Sequence, residues 1–193
     1  MRLTLATRNE HKLRELAEIL TAVELVPLPE DVELPPETGE TFDANALIKA
    51  RAAREATGGP AIADDSGIEA SGLDGRPGVR SARYAGEHAT DEENLELLLR
   101  EVGAAGDRRV AYVCAIAHID EAGAERVYWG RCEGELATEP RGTGGFGYDP
   151  AFVPTETGTA DQRTMAELDP AEKHAISHRG RAARELAAAL GLS

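Results

Sequence analysis

The sequence predicts an α/β fold, a mixed sheet with flanking helices, on three observations. Short apolar runs alternate with helix-periodic segments along the chain. Two long strand-like runs, Val110 to Ile119 and Arg126 to Glu135, face each other across Asp120-Glu121-Ala122-Gly123, and this hairpin adds antiparallel pairing to a sheet that is otherwise parallel. No repeat or low-complexity linker divides the 193 residues, so 1–193 reads as a single domain.

The elements follow in order. Arg2 to Ala6 is a first strand, and it passes through Thr7-Arg8-Asn9-Glu10-His11-Lys12 into a helix with Leu13, Leu16, Ala17 and Leu20 at helical spacing. Glu24 to Leu28 is a second strand, ended by Pro27 and Pro29, and the acidic stretch from Glu30 to Gly39 is a loop. Thr41 is placed to cap a helix from Phe42 to about Ala56, which Gly58-Gly59 stops. Pro60 to Ala63 is a short apolar strand ending on Asp64-Asp65-Ser66-Gly67, and Gly72 to Gly78 is a loop. Thr90 or Asp91 caps a helix carrying Leu95, Leu98 and Leu99. The hairpin and a glycine-rich loop, Gly142 to Gly147, come next. Asp169-Pro170 opens one final helix that runs to about Leu190.

Composition narrows the function. A net charge of −14 argues against a broad nucleic-acid-binding surface, which needs a basic stripe, yet a metal and a few local cations can still receive a small anion. No apolar run approaches the roughly 20 residues of a membrane span, and the start of the chain lacks a signal-peptide core, so a cytoplasmic location is expected. Cys114 and Cys132 fall on neighbouring predicted strands and read as buried free thiols, with a cross-strand disulfide as the alternative. Of 21 basic residues only Lys12, Lys49 and Lys173 are lysines, and each sits in a polar motif. Lysine is a compact point charge suited to phosphate oxygens.

The motifs carry the chemistry. Thr7 to Lys12 lies where a strand ends and a helix starts, a position whose free N–H groups and positive dipole end favour phosphate. An ordinary helix cap with a surface lysine is the better explanation of that segment when it stands alone. Glu37-Thr38-Gly39 precedes a helix showing Asn45 and Lys49 on one face, and together they could hold a metal and its phosphate. Asp64-Asp65 follows an apolar strand, and adjacent strand residues point to opposite faces, so the two aspartates do different jobs. Mg²⁺ takes one or two carboxylates and completes its shell with water and phosphate. In Gly142 to Pro150, Phe146 and Tyr148 offer rings for stacking on a base, and the glycines permit close approach to a ligand. On the final helix His174 and His178 share a face and could bind zinc, but no Glu follows the first His and no further ligands can be placed. Base recognition by Ser177, His178 and Arg179 is the better functional reading there.

Taken together these segments resemble the non-canonical purine nucleoside triphosphate pyrophosphatase family, the Ham1-like or inosine triphosphate pyrophosphatase family. The carrying segments are Leu5-Ala6-Thr7-x-Asn9-x-x-Lys12, Glu37-Thr38-Gly39 with Phe42, Asn45 and Lys49, and Ala63-Asp64-Asp65-Ser66-Gly67. They continue with Pro77-Gly78-Val79-x-Ser81-Ala82-Arg83-Tyr84, Gly144 to Pro150, and Ala175-Ile176-Ser177-His178-Arg179-Gly180. The family usually carries Gly at the position of Arg8 and often at that of His11.

The resemblance implies two lobes around a central nucleotide-binding cleft, a homodimer, and Mg²⁺ as cofactor. It implies hydrolysis of ITP, dITP and XTP to the monophosphate and pyrophosphate. It implies that Thr7, Arg8, Asn9, Glu10, His11, Lys12 and Lys49 bind the triphosphate, and that Glu37 and Asp65 hold the metal. Asp65 is then also the acceptor of the attacking water's proton. Ser66, Phe146, Gly147, Tyr148, Asp149, Lys173, His178 and Arg179 are expected at the nucleotide. A related pyrophosphatase for other modified nucleotides and a nucleotide-binding module without hydrolysis are the alternatives.

Overall fold

The computed structural model describes residues 1–158 and 160–192. Its strands are β1 (Arg2–Leu5), β2 (Glu24–Pro27), β3 (Ala61–Ala70), β4 (Arg109–Ile119), β5 (Glu125–Leu136) and β6 (Phe152–Pro154), in one sheet ordered β2-β1-β3-β4-β5-β6. β2 and β3 each pair parallel to β1, whereas β6 pairs antiparallel to β5, so the sheet is mixed as the hairpin predicts. The helices are α1 (Glu10–Ile19), α2 (Phe42–Thr57), α3 (Asp91–Ala105), α4 (Pro170–Ile176) and α5 (His178–Ala189). Among the described residues no helix is long and apolar enough to cross a membrane.

The chain divides into two compact units. The first comprises Met1–Asp65, Cys114–Gly130 and His178–Ser193, and the second comprises Ser66–Val113 and Arg131–Ser177. In the first unit, Leu3, Leu5, Ile62, Cys114 and Ile116 pack with Leu16, Leu20, Ala182, Ala183 and Leu186, which is the α1 and α5 side of the strands. On the α2 side Ala46, Ala50 and Ala53 meet Ala61, Ala63, Ala117 and Ile119. Alanine on both sides lets this helix lie close to its strands. In the second unit Ile68, Leu95, Leu98, Val102, Tyr112, Leu136, Phe152 and Met165 share one core.

Four expectations change. β3 does not stop at Asp64-Asp65-Ser66-Gly67 but runs through them to Ala70, because buried Ile68 and Ala70 continue the apolar alternation. Thr41 takes the cap position of α2 without a side-chain hydrogen bond. Ala17 is exposed and Ile19 packs towards the core in its place. The final helix is two helices: Ser177 is extended (φ −64°, ψ 152°) and ends α4, and the chain passes from the second unit to the first between Ser177 and His178. Other punctuation holds: Gly58 ends α2 with φ 69°, Thr90 forms a capping box with Glu93, and Asp169 caps α4 before Pro170. Both cysteines are buried thiols outside any disulfide.

Candidate active site

The β1–β3 ladder closes at Leu5 and Ile62, where Ala6 N–H donates to the Ile62 carbonyl at 2.8 Å. β3 continues alone on that side, so Asp64 and Asp65 lie just past the carboxyl end of a parallel neighbour. Open parallel sheets hold their ligands at such ends. Alternation along β3 then separates the two carboxylates. Asp64 follows Ile62 towards α1 and α5, and Asp65 follows Ala61 and Ala63 towards α2.

On the first side, the turn into α1 is built by short polar groups. Thr7 Oγ1 accepts from Asn9 N–H at 3.2 Å, and Asn9 Oδ1 accepts from the N–H groups of His11 (2.9 Å) and Lys12 (3.2 Å). This cap sets Lys12 in the first turn, with its Nζ 3.0 Å from Asp64 Oδ2. Arg179 reaches the same oxygen through Nε and Nη2, each at 3.3 Å, while its Nη1 bonds Glu15 at 2.5 Å. Asp64 is 1% exposed and Arg179 2%. Burial pushes the Asp64 carboxyl up, but Lys12, Arg179 and Lys49 together outweigh it and hold that carboxyl well below the usual carboxylate range. Asp64 is therefore a permanently charged post between two cations.

The second side is organised by Asn45. Its Oδ1 accepts from Gly39 N–H at 2.7 Å, and its Nδ2 donates to Asp65 Oδ2 at 3.1 Å. One amide thus fixes Asp65 and the loop carrying Glu37. Gly39 is required there, because a Cβ would stand 2.7 Å from Asn45 Oδ1. Lys49 Nζ hydrogen-bonds Glu37 Oε1 and lies 3.9 Å from Asp65 Oδ1. Burial raises the Asp65 pKa and Glu37 adds to the rise, against the opposing pull of Lys49, Lys12 and Asn45. Lys49 itself stays charged: burial alone would lower its pKa, but Asp64, Asp65 and Glu37 raise it.

Two carboxylates converging on one ammonium can converge on one metal ion. Among the described residues no group of three or more His, Cys, Asp or Glu could enclose an ion. A pair of hard oxygen donors fits a cation that keeps waters and phosphate oxygens in its shell, such as Mg²⁺, and does not fit a closed zinc cage. The zinc reading of the histidines also loses its geometry, since His174 lies on α4 and His178 on α5.

The second unit carries another polar group. Asp149, 3% exposed, accepts from Tyr112 Oη (3.1 Å), Phe146 N–H (2.9 Å) and Lys173 Nζ (2.8 Å). The Lys173 ammonium stands 5.4 Å from the centroid of the half-buried Phe146 ring. The neighbouring glycines answer internal packing. A Cβ on Gly145 (φ +70°) would lie 2.0 Å from Asp149 Oδ2, and one on Gly144 would lie 2.9 Å from the Ala166 carbonyl oxygen. Tyr148 is buried with its hydroxyl on the Ser81 carbonyl at 2.7 Å.

Not every expected residue presents its side chain outward. Arg8 donates to the carbonyls of Leu28, Pro29 and Val32 at 2.9, 2.6 and 2.5 Å, so it braces the loop after β2. Arg179 commits its three guanidinium nitrogens to Asp64 and Glu15. Glu10 and His11 are exposed, Ser66 and Thr7 are partly buried, and His178 is buried at the start of α5. Sequence reasoning missed Glu15 and Tyr112. Glu15 follows Lys12 by three residues on α1, a spacing that signals a shared face. Nothing local marks Tyr112.

The model of the Ham1 family matches residues 3–189. The chain belongs to the Ham1 family. The match spans the Asp64 and Asp149 groups alike. A protein from Frankia alni named dITP/XTP pyrophosphatase is 52% identical over 201 residues, covering 98% of this chain and 97% of that one. The solved structure of a HAM1 protein from Coxiella burnetii superposes with a TM-score of 0.89 at 45% identity, covering both chains fully at 100%. The Ham1 protein of Staphylococcus aureus gives 0.87 at 38% identity, covering 99% of this chain and 98% of that one. The mixed α/β sheet described above is thus the Ham1 architecture.

Proposed function

We propose that this chain hydrolyses the non-canonical purine nucleoside triphosphates ITP, dITP and XTP to the monophosphate and pyrophosphate, with Mg²⁺ as cofactor. The observation that carries this reading is the convergence of Glu37 and Asp65 on Lys49, beside the Lys12–Asp64 pair at the start of α1. A metal-ready carboxylate pair flanked by two lysines is what a triphosphate needs, and the kinship with proteins named dITP/XTP pyrophosphatase supplies the substrate class.

Glu37 and Asp65 would hold the Mg²⁺, which neutralises charge on the leaving pyrophosphate. The chain's own groups do the rest. Lys12 and Lys49 contribute positive charge for the phosphate oxygens, and Thr7 and Asn9 shape the loop that receives them. Asp65 takes the proton of the attacking water. In the metal-free protein burial raises its pKa, against the opposing pull of Lys49, Lys12 and Asn45. Water adds to the α-phosphorus, the bond to the bridging oxygen of the β-phosphate breaks, and pyrophosphate departs. Asp64 stays ionised and tethers Lys12, and Arg179 with Glu15 holds Asp64 in turn.

Phe146, Gly147 and Lys173 are assigned to the base, with Ser66 and His178 completing the nucleotide contacts. Asp149 supports Phe146 and Lys173 through its buried carboxylate, and Tyr148 is anchored on the Ser81 carbonyl beside them. A deaminated purine carries a keto oxygen where adenine carries an amino group, so a donor facing that edge would select it.

The reading also takes 1–193 as one pyrophosphatase domain acting as a homodimer in the cytoplasm, and light scattering on the purified chain checks the dimer. The decisive experiment is pyrophosphate release with Mg²⁺ from ITP, dITP, XTP, GTP and dUTP. The first three are expected to lead clearly. Equal turnover of GTP or dUTP would overturn the substrate assignment, and absence of pyrophosphate from every substrate would overturn hydrolysis itself.

A further inference from the structure

The two oxygens of Asp149 have separate partners. Oδ1 accepts from the Tyr112 hydroxyl, while Oδ2 accepts from the Phe146 N–H and the Lys173 ammonium. A carboxylate held at one oxygen alone can rotate about its last side-chain bond, which is broad and roughly two-fold. The Tyr112 hydroxyl is what holds the other end. Tyr112 is itself immobilised in the core, its ring stacked on Phe152 with centroids 4.4 Å apart and planes at 24°. A chain of contacts therefore runs from a rigid aromatic pair through one carboxylate to the Phe146 backbone and the ammonium beside its ring. Phenylalanine would fill the same core space without a buried hydroxyl to satisfy.

We infer that the Tyr112 hydroxyl is a positioning group for base recognition, locking the Asp149 carboxylate so that Phe146 and Lys173 are presented in one arrangement. This rests on the reading above that Phe146 and Lys173 meet the base. The geometry also explains why the position before Phe146 is glycine: a side chain at Gly145 would displace the Asp149 oxygen that Phe146 and Lys173 share. Tyr112 touches no substrate in this scheme. Its effect passes through Asp149, so it belongs to affinity for the base rather than to the phosphate chemistry.

The test is Tyr112→Phe, which keeps the ring stack and deletes only the hydroxyl. The KM for ITP is expected to rise about tenfold, the scale of one hydrogen bond to a charged group. The kcat is expected to stay within about twofold, and inhibition by inorganic triphosphate is expected to be unchanged. Tyr128→Phe, which removes a tyrosine hydroxyl in the first unit away from these residues, is the control and should leave the KM unchanged. A readout free of substrate is hydrogen exchange at the Phe146 amide, expected to accelerate about tenfold in Tyr112→Phe while the β4 amides keep their protection. Unchanged Phe146 exchange overturns the inference, as does a parallel loss of triphosphate inhibition. If Phe146 exchange accelerates but the wild-type protein releases no pyrophosphate from ITP, the positioning role stands and the proposed function falls.

Discussion

Replacing each of the two adjacent aspartates by asparagine should affect stability differently, with a loss at Asp64 and none at Asp65. Asp64 is buried with its Oδ2 shared by Lys12 at 3.0 Å and two nitrogens of Arg179 at 3.3 Å. Removing its charge leaves two cations facing a neutral amide, although Arg179 keeps Glu15. Breaking a buried pair from one side costs about 3–5 kcal/mol, and the retained Glu15 contact places Asp64→Asn near the lower end, about 3 kcal/mol. In a chain of this size that lowers Tm by about 6–12 °C. The Asp64 carboxyl titrates below its unfolded value of about 3.9, so its stabilising contribution is complete above that pH and is lost as pH falls through the folded value. The gap between wild type and Asp64→Asn should therefore be flat from pH 8 to about pH 5 and should shrink only below about pH 4.

Asp65 has the opposite sign. Burial raises its pKa, so the fold disfavours its charge above the unfolded value, and a neutral isostere removes that cost. Asp65→Asn should match or exceed wild-type stability in metal-free buffer at neutral pH while abolishing turnover. Urea unfolding of both variants at pH 5 and pH 7, with EDTA present, measures the contrast. Equal destabilisation by the two substitutions, at unchanged m-value, would refute the separation of roles along β3.

Other outcomes follow from single contacts. Asn45→Ala, which unties both the Glu37 loop and Asp65, should weaken Mg²⁺ activation about 10–100-fold, read from the Mg²⁺ dependence of pyrophosphate release. Gly145→Ala combines a left-handed backbone with a Cβ 2.0 Å from Asp149 Oδ2, and should lower stability by about 2 kcal/mol or more in urea unfolding. Chelation with EDTA should abolish pyrophosphate release, and added Mg²⁺ should restore it, because Glu37 and Asp65 alone supply no electrophile. Arg51→Ala deletes an exposed pair with Glu125 and should change stability by less than about 1 kcal/mol, which calibrates the buried cases.

Much of this arrangement is legible in the chain. The opposite facing of Asp64 and Asp65 needs only the two-residue period of a strand, and the parallel order at their end follows from alternating strands and helices. The shared face of Asn45 and Lys49 needs only the helical period, and Asn9 announces itself as a cap. What is not legible depends on partners far away in sequence. Arg179 meets Asp64 across 115 positions, and an exposed and a buried arginine look alike in a string of letters. The break at Ser177 carries no Gly or Pro. It coincides with the passage of the chain from one unit to the other, a property of the whole topology. The extension of β3 through Asp64-Asp65 is hidden because two carboxylates in mid-strand contradict strand propensity unless cations on both sides compensate them.

That compensation accounts for the placement of the lysines. Lys12 and Lys49 each lie against a buried carboxylate here, Asp64 and Asp65, and phosphate oxygens would compete for the same ammonium groups. A cation already held by Asp64 stands ready for an anion at little further ordering cost. Arginine, with a planar fork committed to fixed directions, suits the permanent contacts, and Arg8 on three carbonyls and Arg179 on two carboxylates hold such contacts. Lysine, a rotatable point charge, suits a contact that changes partner during a reaction cycle. Lys12→Arg should on this view fold normally yet bind triphosphate less tightly. Inhibition by inorganic triphosphate is the measurement, and an unchanged inhibition constant would remove Lys12 from the phosphate site.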